Sequence, residues 1–159
     1  MIADQEFRDF ARLLADESGA IIRKYFRTSY HIDAKQDASP VTIADRSAEE
    51  KLRELIMKQY PDHGIVGEEF GIHQPDAEYQ WVLDPIDGTK SFIAGAQTFG
   101  TLIGLCHRNE PILGVIHQPV LSEFYIGDNT SASMNGMPIR IRECERIQDA
   151  LLLVTDHLH

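Results

Sequence analysis

The 159-residue sequence has only two cysteines, Cys106 and Cys144, and no CxxC pair. That excludes a disulfide framework and the usual thiolate spacing of zinc or redox sites, so both read as plain reduced side chains in apolar or mixed strand-like contexts. Positive charge is scarce as well, with 15 Lys and Arg against 25 Asp and Glu and a formal charge of −10. This balance argues against nucleic acid and anionic membranes as partners, unless a bound cation reverses it locally. No apolar run approaches the roughly 20 residues of a membrane span. The opening stretch MIADQEFRDF has neither a basic leader nor an apolar run of signal length, which leaves the cytoplasm as the expected compartment. Internal repeats and low-complexity segments are lacking too, and the length suits one domain with a proper core.

What is present divides into helical and strand-like patterns. From Asp4 to about Arg27, Phe7, Phe10, Ala11, Leu14, Ile21, Ile22 and Tyr25 recur at the spacing of one helical face. Residues 28–43 break that pattern, and Ser39-Pro40 favours an extended or turning backbone, so a loop is expected there. A second helix is expected from Ile43 to Tyr60, with Ala44, Ala48, Leu52, Leu55 and Ile56 inward and Pro61 stopping it. Thr42 is its expected N-cap, and Asp45 places an acid in the first turn, where the helix dipole favours one. Short apolar or alternating runs follow at Ile65-Val66, Trp81–Leu83, Thr98–His107, Ile112–His117 and Glu123–Ile126. Asn109-Glu110-Pro111 and Asn135-Gly136 read as hairpin turns. This order predicts an α+β fold, two long helices packed on one face of a mostly antiparallel sheet. Residues 1–150 form the expected domain. Leu151–Thr155 reads as a buried strand without neighbours, so 151–159 is expected to begin a further, truncated unit with apolar surface exposed near 151–154.

Several acids interrupt apolar or tightly turning segments: Asp45, Glu68 and Glu69 in GEEFG, and Asp84 with Asp87 in WVLDPIDGTKSF. Glu69 suits an ordinary turn-capping surface acid. Pro85, by contrast, stiffens the backbone between Asp84 and Asp87, and their spacing suits two ligands aimed at one point. If Glu68, Asp84 and Asp87 converge at strand ends, each close pair repels by about 4 kcal/mol at about 4 Å and an effective dielectric of about 20, a cost that bound cations would remove. Oxygen donors without His or Cys favour Mg²⁺, Mn²⁺ or Ca²⁺ over zinc. Gly88-Thr89 then feeds a short helix through Ala94, and helix N-termini present amides to anions such as phosphate. Lys90 reads as a solvated first-turn lysine. His107 and His117 flank a hairpin and read as structural, and His157-x-His159 as incidental.

DPIDGTKSF at 84–92, GEE at 67–69 and SPVT-x-AD at 39–45 together resemble the inositol monophosphatase family of Mg²⁺-dependent, lithium-sensitive phosphatases. The motifs stand in family order. DGTKSF, with FGTLIGL at 99–105 and GVIHQPV at 114–120, is most similar to the histidinol-phosphate phosphatase branch. The resemblance implies a layered sugar-phosphatase-type fold, a small phosphomonoester substrate, two or three Mg²⁺ ions with Mn²⁺ as a substitute, and a homodimer. It implies that Glu68, Asp84 and the Ile86 carbonyl hold one metal while Asp84 and Asp87 share a second. Thr89, supported by Asp45, would orient and help deprotonate a metal-bound water. With Glu68 they form the implied catalytic set. Phosphate would be met by the Gly88 and Thr89 amides, beside Glu68, Ile86 and Asp87. Lys35 and Asp37 would lie in a loop that helps recruit a further metal. Family members are longer than this chain and carry a downstream Trp-Asp-x-Ala-Ala type motif that this sequence lacks. Inositol phosphate is the alternative substrate, and a truncated, catalytically incomplete metal- and phosphate-binding fragment the alternative role.

Overall fold

Helix α1 (Gln5–Tyr25) buries Phe10, Ala11, Leu14, Ala15, Ser18, Gly19 and Ile22, a stripe that repeats every three or four residues. The structure, a computed structural model, describes residues 4–29, the backbone of 32–34 and 40–41, and residues 42–151. Helix α2 (Ile43–Gln59) starts at Thr42, whose hydroxyl accepts from the Ala44 N–H at 3.1 Å. The Asp45 carboxylate accepts from the Thr42 N–H in return, at 2.8 Å. This reciprocal cap satisfies amides that a helix start otherwise leaves unpaired. Between the helices, β1 (Ile32–Ala34) and β2 (Pro40–Thr42) form a short antiparallel ladder where the sequence predicts only loop. Three-residue strands are too short to carry a periodic signal.

The remaining strands are β3 (Gly64–Gly67), β4 (Gly71–His73), β5 (Tyr79–Asp87), β6 (Gly100–His107), β7 (Glu110–Gln118), β8 (Glu123–Gly127), β9 (Ala132–Met134) and β10 (Met137–Pro138). They form one eight-stranded sheet in the order β10-β9-β8-β7-β6-β5-β3-β4. Its described pairs are antiparallel except β3 with β5. The α+β expectation holds, as does the Asn135-Gly136 turn, where both residues take positive φ. The other hairpin turns one residue earlier than expected, at Arg108-Asn109, with Pro111 inside β7 opposite Cys106 at a bulge. A bulge tolerates the missing proline N–H. Strand β5 runs on through Asp84 to Asp87, so these acids belong to the strand end and do not follow it.

Both long helices pack on one face of the sheet. Phe10, Leu14, Leu52 and Ile56 meet Ile65, Trp81, Leu83, Ile103, Leu105, Leu113 and Val115. Each such side chain contributes about 1.5–3 kcal/mol on burial. A second cluster, Ile22, Ala44, Ala48, Ile86, Phe92 and Phe99, supports the end of β5 and the five-residue helix α3 (Thr89–Ile93). Cys144 is exposed and outside any strand, unlike the strand-like setting expected for it. Leu151 is exposed; residues 152–159, with the rest of the expected strand and His157-x-His159, lie outside the described residues, as do Lys35 and Asp37.

Candidate metal and phosphate site

Gly67 and Leu83 are the last register partners of parallel β3 and β5, so at the carboxyl end of that pairing Glu68 follows β3 directly while Asp84 continues along β5. That edge is where open α/β sheets place ligands. The Glu68 N–H donates to the Leu83 carbonyl at 3.2 Å, tying the turn to the residue before Asp84. Beyond Asp84 the β5–β6 register shifts before Asp87 pairs with Gly100. Pro85 has no N–H to offer the ladder there, and its carbonyl accepts from the buried Thr101 hydroxyl at 2.8 Å. Such an irregularity re-aims the side chains around it.

Burial is the main force on Asp84, followed by the hydrogen bond and charge of Glu68 and then the charge of Asp87. Together they push its carboxyl up to about 8, against a smaller opposing pull from the Ile86 backbone. Its Oδ1 is buried with no hydrogen-bond partner. A buried polar atom left this way is rare in a folded protein. Among the described residues no cluster of three or more His, Cys, Asp or Glu side chains is gathered as a metal cage, and Asp87 is exposed. An orphaned buried oxygen, carboxyls pressed together and an all-oxygen donor set fit a hard divalent cation.

Gly88 carries the chain from β5 into α3 at φ +90°, and a Cβ there would meet the Thr98 carbonyl oxygen at 2.9 Å. Only glycine suits that turn. The Gly88 and Thr89 amides stand at the start of α3, where helices leave N–H groups without intrahelical acceptors. Thr89 Oγ1 donates to the Ile86 carbonyl at 3.1 Å and reaches Asp45 Oδ1 at 3.4 Å. The cap of α2 and the start of α3 thus share one carboxylate. Lys90 is exposed, as expected of a first-turn lysine.

Sequence reasoning missed a second acid on α2. Glu49 is fully buried and its carboxylate accepts from Arg53 Nε at 2.8 Å, the Glu69 N–H at 2.7 Å and the Phe70 N–H at 3.1 Å. A signal was available, because Glu49 interrupts the apolar stripe Ala44, Ala48, Leu52, Ile56 with a basic residue four positions on.

The inositol monophosphatase family model matches residues 3–159. The chain is 49% identical over 160 residues to a protein of Arabidopsis thaliana named bifunctional phosphatase IMPL2, chloroplastic, covering 97% of this chain and 46% of that protein. Similarity to the histidinol-phosphatase of Chlorobaculum parvum is 43% over 130 residues, covering 80% of this chain and 50% of that one. An inositol monophosphatase structure from Zymomonas mobilis superimposes with a TM-score of 0.74 at 44% identity, over 89% of this chain and 56% of the other. The chain spans about half the length of the curated relatives it matches. With a match from near its first residue to its last, it belongs to the inositol monophosphatase family.

Proposed function

We propose that the chain serves a Mg²⁺-dependent phosphomonoesterase that hydrolyses a small phosphorylated alcohol, with histidinol phosphate as the first candidate substrate. The observation that carries this reading is the Asp84 carboxyl, pressed against Glu68 with its Oδ1 unpartnered at the end of a parallel strand pair. Glu68, Asp84, Asp87 and the Ile86 carbonyl would hold the cation. Bound there, Mg²⁺ would supply Lewis acidity, lowering the pKa of water and drawing charge from phosphoryl oxygens. Thr89 Oγ1 would accept a proton from the attacking water and pass its own toward Asp45 Oδ1, the 3.4 Å neighbour already aimed at it. The Gly88 and Thr89 amides would receive the phosphate oxygens as charge builds on them.

Histidinol phosphate is supported by similarity to the protein named histidinol-phosphatase. Inositol 1-phosphate is the second substrate reading. It is supported by the Zymomonas mobilis structure and by 32% identity to the fructose-1,6-bisphosphatase/inositol-1-monophosphatase of Aquifex aeolicus. The half-length match supports a further reading, cation and phosphate binding without turnover. Purified chain titrated with Mg²⁺ and assayed for phosphate release from both esters separates these readings. Turnover that Asp87→Asn abolishes favours the esterase, with the preferred ester naming the substrate. Cation binding without turnover selects the binding role, and absence of cation binding overturns both readings.

A further inference from the structure

The turn that carries Glu68 is held from beneath by a buried ion pair. Glu49 has no exposed side-chain surface, and the Arg53 side chain is 12% exposed. The Glu49 carboxylate receives the amides of Glu69 and Phe70, the two residues directly after Glu68. Arg53 Nη2 donates to the Gly71 carbonyl, closing the far end of the same turn, and its guanidinium lies 5.9 Å from the Phe70 ring. On the near side, a Cβ at Gly67 would lie 1.9 Å from Glu49 Oε1 and 2.7 Å from Arg53 Nη2. The pair therefore occupies the space of a residue-67 side chain, which gives the glycine of the Gly-Glu-Glu motif its reason. Buried ion pairs contribute little stability beyond what apolar residues of similar volume would give. Their use here is geometric, since a charged carboxylate is needed to gather two amides and a guanidinium at one point.

We propose that Glu49 and Arg53 form a positioning clamp that fixes the Glu68 turn against β5 and thereby sets the affinity of the Glu68–Asp84 pair for a divalent cation. This inference rests on the proposed function, in which Glu68 and Asp84 are ligands. Glu49 touches neither cation nor substrate; it acts through the backbone on either side of Glu68. One turn earlier on the same helix, Asp45 holds Thr89. Helix α2 accordingly sets both walls of the site, through residues four positions apart on one face.

The test is Mn²⁺ affinity at 25 °C, read by the loss of free-ion paramagnetic resonance signal, beside thermal unfolding in metal-free buffer. Glu49→Gln and, independently, Gly67→Ala are expected to raise the Mn²⁺ Kd at least tenfold, the loss typical when groups that orient ligands are removed. Both variants must be folded at the assay temperature. A purely structural role would lower the unfolding temperature and leave Kd unchanged. In the wild type without metal, the Glu69 and Phe70 amides are expected to exchange slowly with solvent. Exchange at the rate of an unstructured chain overturns the clamp whatever the variants do. Failure of the wild type to bind Mn²⁺ removes the metal reading and the inference with it. Wild-type binding with unaltered Kd in both folded variants removes the clamp alone.

Discussion

At the residue scale, Asp84 concentrates the tension of the site. Burial and the neighbouring Glu68 and Asp87 raise its carboxyl from the ordinary 3.8 to about 8, so the folded chain holds a proton that the unfolded chain releases. The sign follows: this group contributes stability below about pH 4 that is lost as pH climbs toward 8. In chelator, unfolding midpoints should fall across that interval, and Asp84→Asn should flatten the slope and melt higher than the wild type at pH 7.5. A wild-type midpoint that rises through the same interval, with no difference in Asp84→Asn, would contradict this placement. A cation bound there would compete with that proton, so its binding should strengthen with pH through the same range. Asp84, Asp87 and the Gly88-Thr89 turn were legible because they are contiguous in WVLDPIDGTKSF. The orphaned Oδ1 was not, since it depends on Glu68 from the turn after β3 and on the register shift beyond Asp84.

At the scale of elements, helix α1 meets β7 at a contact where volume decides. A Cβ on Gly19 would lie 2.5 Å from Cε1 of buried His117 and 3.1 Å from Cβ of Pro119. In an exposed helix Gly→Ala gains about 1 kcal/mol. Here overpacking costs about 1–3 kcal/mol, so Gly19→Ala should lower stability by about 1 kcal/mol, read from denaturant midpoints. A raised midpoint would mean that the His117 ring yields freely. Helices α1 and α2 were legible because each buries one periodic stripe, and Thr42 with Asp45 marked the start of α2. The Arg108-Asn109 turn was misread by one residue because Pro111, a turn signal elsewhere, sits in β7 at a bulge. The Glu49 contacts with Glu69 and Phe70 span about twenty positions and leave no local pattern beyond a charge inside an apolar stripe.

For the whole molecule, the sheet has two unlike faces. One is covered by α1 and α2. On the other, Val82, Gly104, Gly114, Gly127 and Ala132 are successive cross-strand partners from β5 to β9. This nearly side-chain-free row forms the floor of an open trough of about 630 Å³, flanked by Leu102, Ile116 and Tyr125 and reaching Asp84. Val82 and Ile116 are 43% and 53% exposed. Apolar exposure was expected near 151–154, of which only Leu151, an exposed residue, is described; the trough is a continuous apolar surface at a different place, on the open face of the sheet. A face of this kind should bind an apolar fluorescent dye and promote self-association of the chain. Ile116→Lys should reduce both with little change in unfolding midpoint, and dye binding equal to the wild type would place the apolar surface elsewhere.

Binding of a divalent cation by Asp84 and Glu68, as proposed, is tested most directly by calorimetric Mg²⁺ titration of the metal-free chain at pH 7.5 in two buffers of different ionisation enthalpy. The expected result is saturable binding with net proton release, on the order of one per cation, as the cation displaces the Asp84 proton, and loss of both in Asp84→Asn. Absence of binding by the wild type, or binding that Asp84→Asn leaves unchanged, would contradict it.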